Sequence, residues 1–94
     1  MTAVLTAARA EALFTTALAT GSRPAYEVVD EAIRVAVRAH GGVRGCAADV
    51  AAEYGDHPEL AVPRMRWALS VVELLYPARR PRPERPQQRW ALVA

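Results

Sequence analysis

Pro77 divides this chain into two stretches of different chemistry, and only the first can fold around a core. Residues 1–76 hold seven Arg, at 9, 23, 34, 38, 44, 64 and 66, against nine Asp or Glu, a formal charge of −2. Residues 77–94 hold five Arg, at 79, 80, 82, 85 and 89, against Glu84 alone, a charge of +4. Four of the seven prolines also lie beyond residue 76. The run Pro-Ala-Arg-Arg-Pro-Arg-Pro-Glu-Arg-Pro favours extended, polyproline-like chain whose backbone stays in water. The sequence therefore predicts a folded domain over 1–76 and a basic, proline-rich tail over 77–94.

A core built from so short a stretch is modest. Apolar residues make up 52% of the chain, but twenty of them are Ala, which bury little area each. Ile33 is the lone isoleucine and Phe14 the lone phenylalanine, so Val, Leu, Tyr54, Tyr76 and Trp67 must supply the bulk. Every basic side chain is Arg, which offers planar, bidentate hydrogen bonding where Lys offers a point charge. A single cysteine, Cys46, cannot close an internal disulfide and points to a reducing compartment. Ala17-Leu18-Ala19 has the form of a signal-peptidase site. The region before it lacks a basic leader, however, and Arg9 and Glu11 interrupt its apolar run. With no membrane-length apolar segment, the expected location is the cytoplasm.

Four helices are predicted and no strands. The first spans about 6–19, with Ala10, Leu13, Phe14, Ala17 and Leu18 on one face and Gly21 ending it. The second opens with Ser22 as N-cap and Pro24 in its first turn. Glu27, Asp30 and Glu31 precede Arg34 and Arg38, the order that complements the helix dipole, and Asp30 and Arg34 form an i,i+4 pair. Its buried side is Tyr26, Val29, Ile33, Ala36 and Val37, and Gly41-Gly42 stops it. The third spans about 44–54, with Gly55 in the left-handed C-terminal position. Asp56-His57-Pro58-Glu59 then reads as a capping box. Pro63 would interrupt a helix begun at that cap, so a short turn over 57–62 and a last helix from Pro63 to Tyr76 are expected. That helix carries two apolar stripes: Met65, Leu69, Val72 and Tyr76 on one, Trp67, Val71 and Leu74 on the other. Such a helix is central in its bundle, or buried by a partner, or both.

Chemistry-bearing constellations are few. Cys46 lies near a helix start beside Arg44, a setting that lowers a thiol pKa, but the plainer reading of a lone small residue there is packing. His40, Cys46 and His57, with Asp49, Glu53 and Asp56, are metal-ligand types at spacings that match no zinc pattern. Glu53, Asp56 and Glu59 around one turn read as solvated caps. Gly41-Gly42-Val43-Arg44-Gly45 lacks the Lys and Ser/Thr of a phosphate loop. No acid, base and nucleophile set assembles, so the chain reads as a non-enzyme without metal, cofactor or small-molecule substrate.

Two kinds of contact remain. Trp67, Val71 and Leu74, with Trp90 and Leu92 from the tail, form a candidate protein interface, homodimeric or with another protein. The third and fourth helices also have a helix-turn-helix-like form, with Val50-Ala51, Tyr54 and Gly55 as first helix and turn. Arg64 and Arg66 would then face base edges, while Arg79, Arg80, Arg82, Arg85 and Arg89 engage phosphates. Against it, Asp56 stands where an apolar turn residue is usual, and Trp67, Leu69, Val71 and Val72 are too apolar for a groove-reading helix.

Val43-Arg44-Gly45-Cys46-Ala47-Ala48, Gly55-Asp56-His57-Pro58-Glu59 and Val62-Pro63-Arg64-Met65-Arg66-Trp67-Ala68 together resemble small uncharacterised proteins of GC-rich actinobacteria. That resemblance covers the middle third of the chain. It implies a cytosolic, all-helical protein and brings no activity, ligand or catalytic residue with it. The expectation is thus an all-α, compact four-helix domain with an extended basic tail. It would act as a non-enzymatic interaction or regulatory module, or alternatively as a small DNA-binding regulator.

Overall fold

The computed structural model describes residues 2–77. They form an all-α domain of four helices: α1 (Thr2–Phe14), α2 (Tyr26–Ala39), α3 (Val43–Asp56) and α4 (Pro58–Leu75). Among the described residues no helix is long and apolar enough to cross a membrane.

The central element is α1, not the last helix as the two apolar stripes of α4 imply. Three consecutive α1 residues serve three parts of the core. Leu13, joined by Ala10, packs with Val29, Trp67, Ala68, Val71 and Val72. Ala12 meets Ala36 and Cys46, and Phe14 meets Val50 and Ala61. Successive helical residues point about 100° apart, so only a helix surrounded on most sides can bury three in a row. The many alanines make this possible, since Ala12 at 1% exposure lets α2 and α3 approach closely.

This helix ends five residues earlier than its periodicity predicts. Thr15 and Thr16 bend back, their hydroxyls donating to the Ala12 carbonyl at 2.8 Å and the Leu13 carbonyl at 2.7 Å. Their backbone N–H groups close on the same two carbonyls at 3.1 Å. Helix-terminal carbonyls are thereby satisfied without another helical turn. Residues 15–25 become an irregular linker, in which Leu18 still packs against the main core. Ser22 belongs to this linker and does not cap α2: its hydroxyl donates to the Ala19 carbonyl at 2.6 Å. The N-cap of α2 is Ala25.

The Gly41-Gly42 stop holds, and its geometry explains it. Gly41 has φ +75° and Gly42 φ +120°, both in the region that favours glycine. The Gly42 N–H donates to Val37 and the Gly41 N–H to Arg38, the paired bonds of a Schellman motif. Gly55, by contrast, does not turn the chain. It is helical within α3, which continues through Asp56, so Asp56 is not an N-cap. Only His57 separates α3 from α4, and its carbonyl accepts the N–H groups of Leu60 and Ala61. The third and fourth helices thus meet at a one-residue corner, without the turn at Gly55.

The last helix also starts earlier than expected, at Pro58, and runs unbroken through Pro63. Proline at the first helical position is favourable because that N–H has no partner anyway. Pro63 removes one backbone bond, to the Glu59 carbonyl, but both residues are exposed and water reaches that carbonyl. Burial of Ala61 against Phe14 and Val50 holds the first turn in place.

A pair of glycine substitutions tests these backbone roles. A Cβ at Gly45 would fall 1.7 Å from the His40 carbonyl oxygen, so α3 packs onto the end of α2 only because residue 45 has no side chain. Gly45→Ala should cost about 1–3 kcal/mol in urea unfolding. Gly55 has nothing within 4 Å of its Cβ position, and Gly55→Ala should gain about 0.5 kcal/mol as a helical glycine relieved. A loss at position 55 would restore the turn read from the sequence.

Candidate docking groove on the outer face of helix 4

Two side chains three residues apart on α4 tie the linker down. The Arg64 guanidinium joins the end of α1 to the linker: Nε donates to the Phe14 carbonyl at 2.7 Å, Nη2 to the Thr16 carbonyl at 2.7 Å and Nη1 to the Thr20 hydroxyl at 2.8 Å. Its carbon lies 4.9 Å from the Trp67 ring centroid and 5.7 Å from that of Phe14, so charge and ring faces attract. Burial pulls its pKa down, yet the guanidinium remains charged at neutral pH. Arg64 is therefore a cap for α1, turned inward, and is not available to a base edge as the helix-turn-helix reading requires. Arg66, two residues on, is exposed.

Trp67 completes the tie, its indole Nε1 donating to the Ser22 carbonyl at 2.8 Å. Trp67 and Val71 are each 8% exposed, enclosed by their own chain. The second stripe of α4 is thus mostly core, with Trp67 and Val71 each leaving only a small part at the surface. The linker, closing over them, is what the sequence stripe could not reveal. Leu74, the third member, is 76% exposed, the most exposed large apolar side chain among the described residues.

Linker and helix together leave an open groove of about 680 Å³. Pro24, Val71, Leu74, Leu75 and the edge of Trp67 supply its apolar surface, while Arg23 and Arg66 are its charged lining groups. Ser70 lines it too, its hydroxyl donating to the Trp67 carbonyl at 2.8 Å. Periodicity flagged Trp67, Val71 and Leu74, but Arg23 and Pro24 enter only through the linker's path. Trp90, Leu92, Arg79, Arg80, Arg82, Arg85 and Arg89 lie outside the described residues.

Just past the groove's last lining residue, Leu75, a clamp secures the end of α4. The Tyr76 hydroxyl donates to Asp30 Oδ1 at 2.6 Å, and Arg34 pairs with Asp30 Oδ2. Arg9 stacks on the Tyr76 ring at 4.1 Å, and Tyr26 packs against it with centroids 5.1 Å apart. Three helices meet there. The Tyr76 hydrogen bond, with Arg34, holds the Asp30 carboxyl below the usual carboxylate range. Burial and the same carboxylate push the Tyr76 phenol well up.

The other candidate residues are structural. Cys46 is fully buried, its thiol 3.8 Å from the Ala36 carbonyl, and burial pushes its pKa up. That is the setting of a packed thiol, opposite to the activated one its place beside Arg44 suggests. His40 caps α2, with Nδ1 2.9 Å from the Ala36 carbonyl and Nε2 3.7 Å from Asp49. His57 sits 4.0 Å from Glu59. Among the described residues, no three His, Cys, Asp or Glu side chains converge as a metal site would need.

Arg64→Ala should lower unfolding stability by about 2–3 kcal/mol, because buried carbonyls lose charged donors. Arg64→Lys should recover less than half of this, lacking the fork. A lysine variant of full stability would mean that charge alone suffices. The clamp predicts two pH limbs. A carboxyl with depressed pKa contributes stability that is lost as pH falls through and below the ordinary value of 3.8. A phenol with raised pKa contributes stability present below its ordinary value of 10.0 and lost as pH climbs above it. Tyr76→Phe should flatten both limbs of a stability–pH curve, and an unchanged curve would dismiss the clamp.

Compared with family models, with curated proteins and with solved structures, the chain finds no match, so the groove's own geometry is the basis for reading its function.

Proposed function

We propose that this protein is a non-enzymatic interaction module that binds a protein segment in the groove between its α1–α2 linker and the outer face of α4. The observation that carries this reading is Leu74, 76% exposed in a concavity otherwise floored by Pro24, Trp67, Val71 and Leu75. Exposed leucines are common singly, but one set in an apolar groove of about 680 Å³ suits the mode in which an amphipathic helix lays its apolar face into a hydrophobic groove. Covering such a surface lowers the free energy by about 25 cal/mol for each Å² of apolar area removed from water.

The floor supports the same reading through what it lacks. The Trp67 donor is already used by the Ser22 carbonyl and the Ser70 proton by Trp67. An occupant therefore need supply few hydrogen bonds and is held mainly by apolar contact. The alternative reading, a DNA-binding regulator, has less to support it, because Arg64 is committed to the linker.

The test uses a twelve-residue amphipathic peptide with Leu at i, i+3, i+4 and i+7 and Gln elsewhere. Binding is read by amide shift changes in the full chain. It should bind saturably, with shifts centred on residues 66–75, and Leu74→Asp should weaken it about tenfold (roughly 1.4 kcal/mol) while leaving the unfolding free energy within about 0.5 kcal/mol of wild type. No saturable binding, or binding indifferent to Leu74→Asp, would overturn the proposal.

A further inference from the structure

The groove's rim bears on what fills it. Its charged lining groups are Arg23 on the linker wall and Arg66 on the helix wall. Both are exposed, and among the described residues neither has a carboxylate within 4.0 Å, whereas Arg34 is paired with Asp30. Arg64 is spent on the Phe14 and Thr16 carbonyls and the Thr20 hydroxyl. Among the described residues no acidic side chain lines the groove, although residues 1–76 as a whole are formally −2. The two cations thus stand one on each side of an apolar floor, on a folded stretch (residues 1–76) whose other formal charges sum to −4.

We infer that the groove accepts an acidic, amphipathic segment of another protein: an apolar stripe on the floor and carboxylates on either side, each meeting one of the two arginines. This rests on the docking reading of the groove and specifies its partner. The other occupants are disfavoured by charge. The chain's own tail carries five Arg against Glu84 and would bring like charge to Arg23 and Arg66. A second copy docking groove to groove would set these same arginines against themselves. Carboxylates opposite guanidinium groups instead form the planar, charge-assisted pairing to which Arg is suited, and rim charges of this kind select partners and raise association rates.

The experiment compares three peptides with the same leucine stripe and no tryptophan, carrying Glu, Gln or Lys at the polar positions. It uses the full chain with Trp90→Phe, so that Trp67 is the only indole, and reads its fluorescence at low and high salt. The Glu peptide should bind about tenfold tighter than the Gln peptide at low salt and the Lys peptide weakest. High salt should shrink the difference as exposed charges are screened. Arg23→Ala with Arg66→Ala should abolish the Glu preference, so that the Glu and Gln peptides bind the double variant alike. If Glu and Gln peptides bind alike, the acidic partner is wrong and the docking groove stands. If none binds, or if Leu74→Asp changes no affinity, the groove reading itself falls. Sedimentation showing a dimer that Leu74→Asp dissolves would make a second copy the occupant and overturn the inference.

Discussion

The fold depends on how α1 ends. Ala12, Leu13 and Phe14 each anchor a different part of the core, so the helix must stop with its final turn still inside the protein. A buried helix terminus leaves carbonyls that water cannot reach easily, and each one left bare is costly. Here they are met by two threonine hydroxyls and by the Arg64 fork, reaching from fifty residues away. That arrangement lowers the cost of burying a cation because each of its three nitrogens donates to an acceptor, and the Phe14 and Trp67 rings lie beside it.

From that ending the groove follows. Once α1 has stopped, the chain must cross to α2, and the irregular path it takes lies over Trp67 and Val71. The linker is pinned where the indole donates to Ser22, one turn of α4 from Arg64. Pro24 and the face of α4 both line the groove, and Leu74 within it is left uncovered. The exposed leucine is thus a product of where the linker runs out, and the clamp of Tyr76 on Asp30 and Arg9 keeps that end of α4 against its neighbours.

Features decided within a few residues were legible in the sequence, and those decided across the fold were not. The glycine pair after α2 and the Asp30–Arg34 pair are local chemistry and stand where the pattern places them. The stripe of Trp67, Val71 and Leu74 was visible, but which members face out depends on a linker forty-five residues earlier. Arg64 looked like a free basic group because nothing near it in sequence is its acceptor. Gly55 and Pro63 misled for a related reason. Each is a strong local signal for a break, yet packing on both sides, through Val50 and Ala61 against Phe14, keeps the helices running.

The linker also has a consequence for the order in which the molecule is made. Its settled shape depends on Arg64 and Trp67, which enter the chain more than forty residues after it. As the polypeptide leaves the ribosome, α1 and α2 can coil early, but the crossing between them has only its own short-range hydrogen bonds to hold it until α4 arrives. Closing so long a loop carries an entropic cost before any reward. The joint between the first two helices is therefore among the last parts of the protein to take form, although it is among the first to be synthesised.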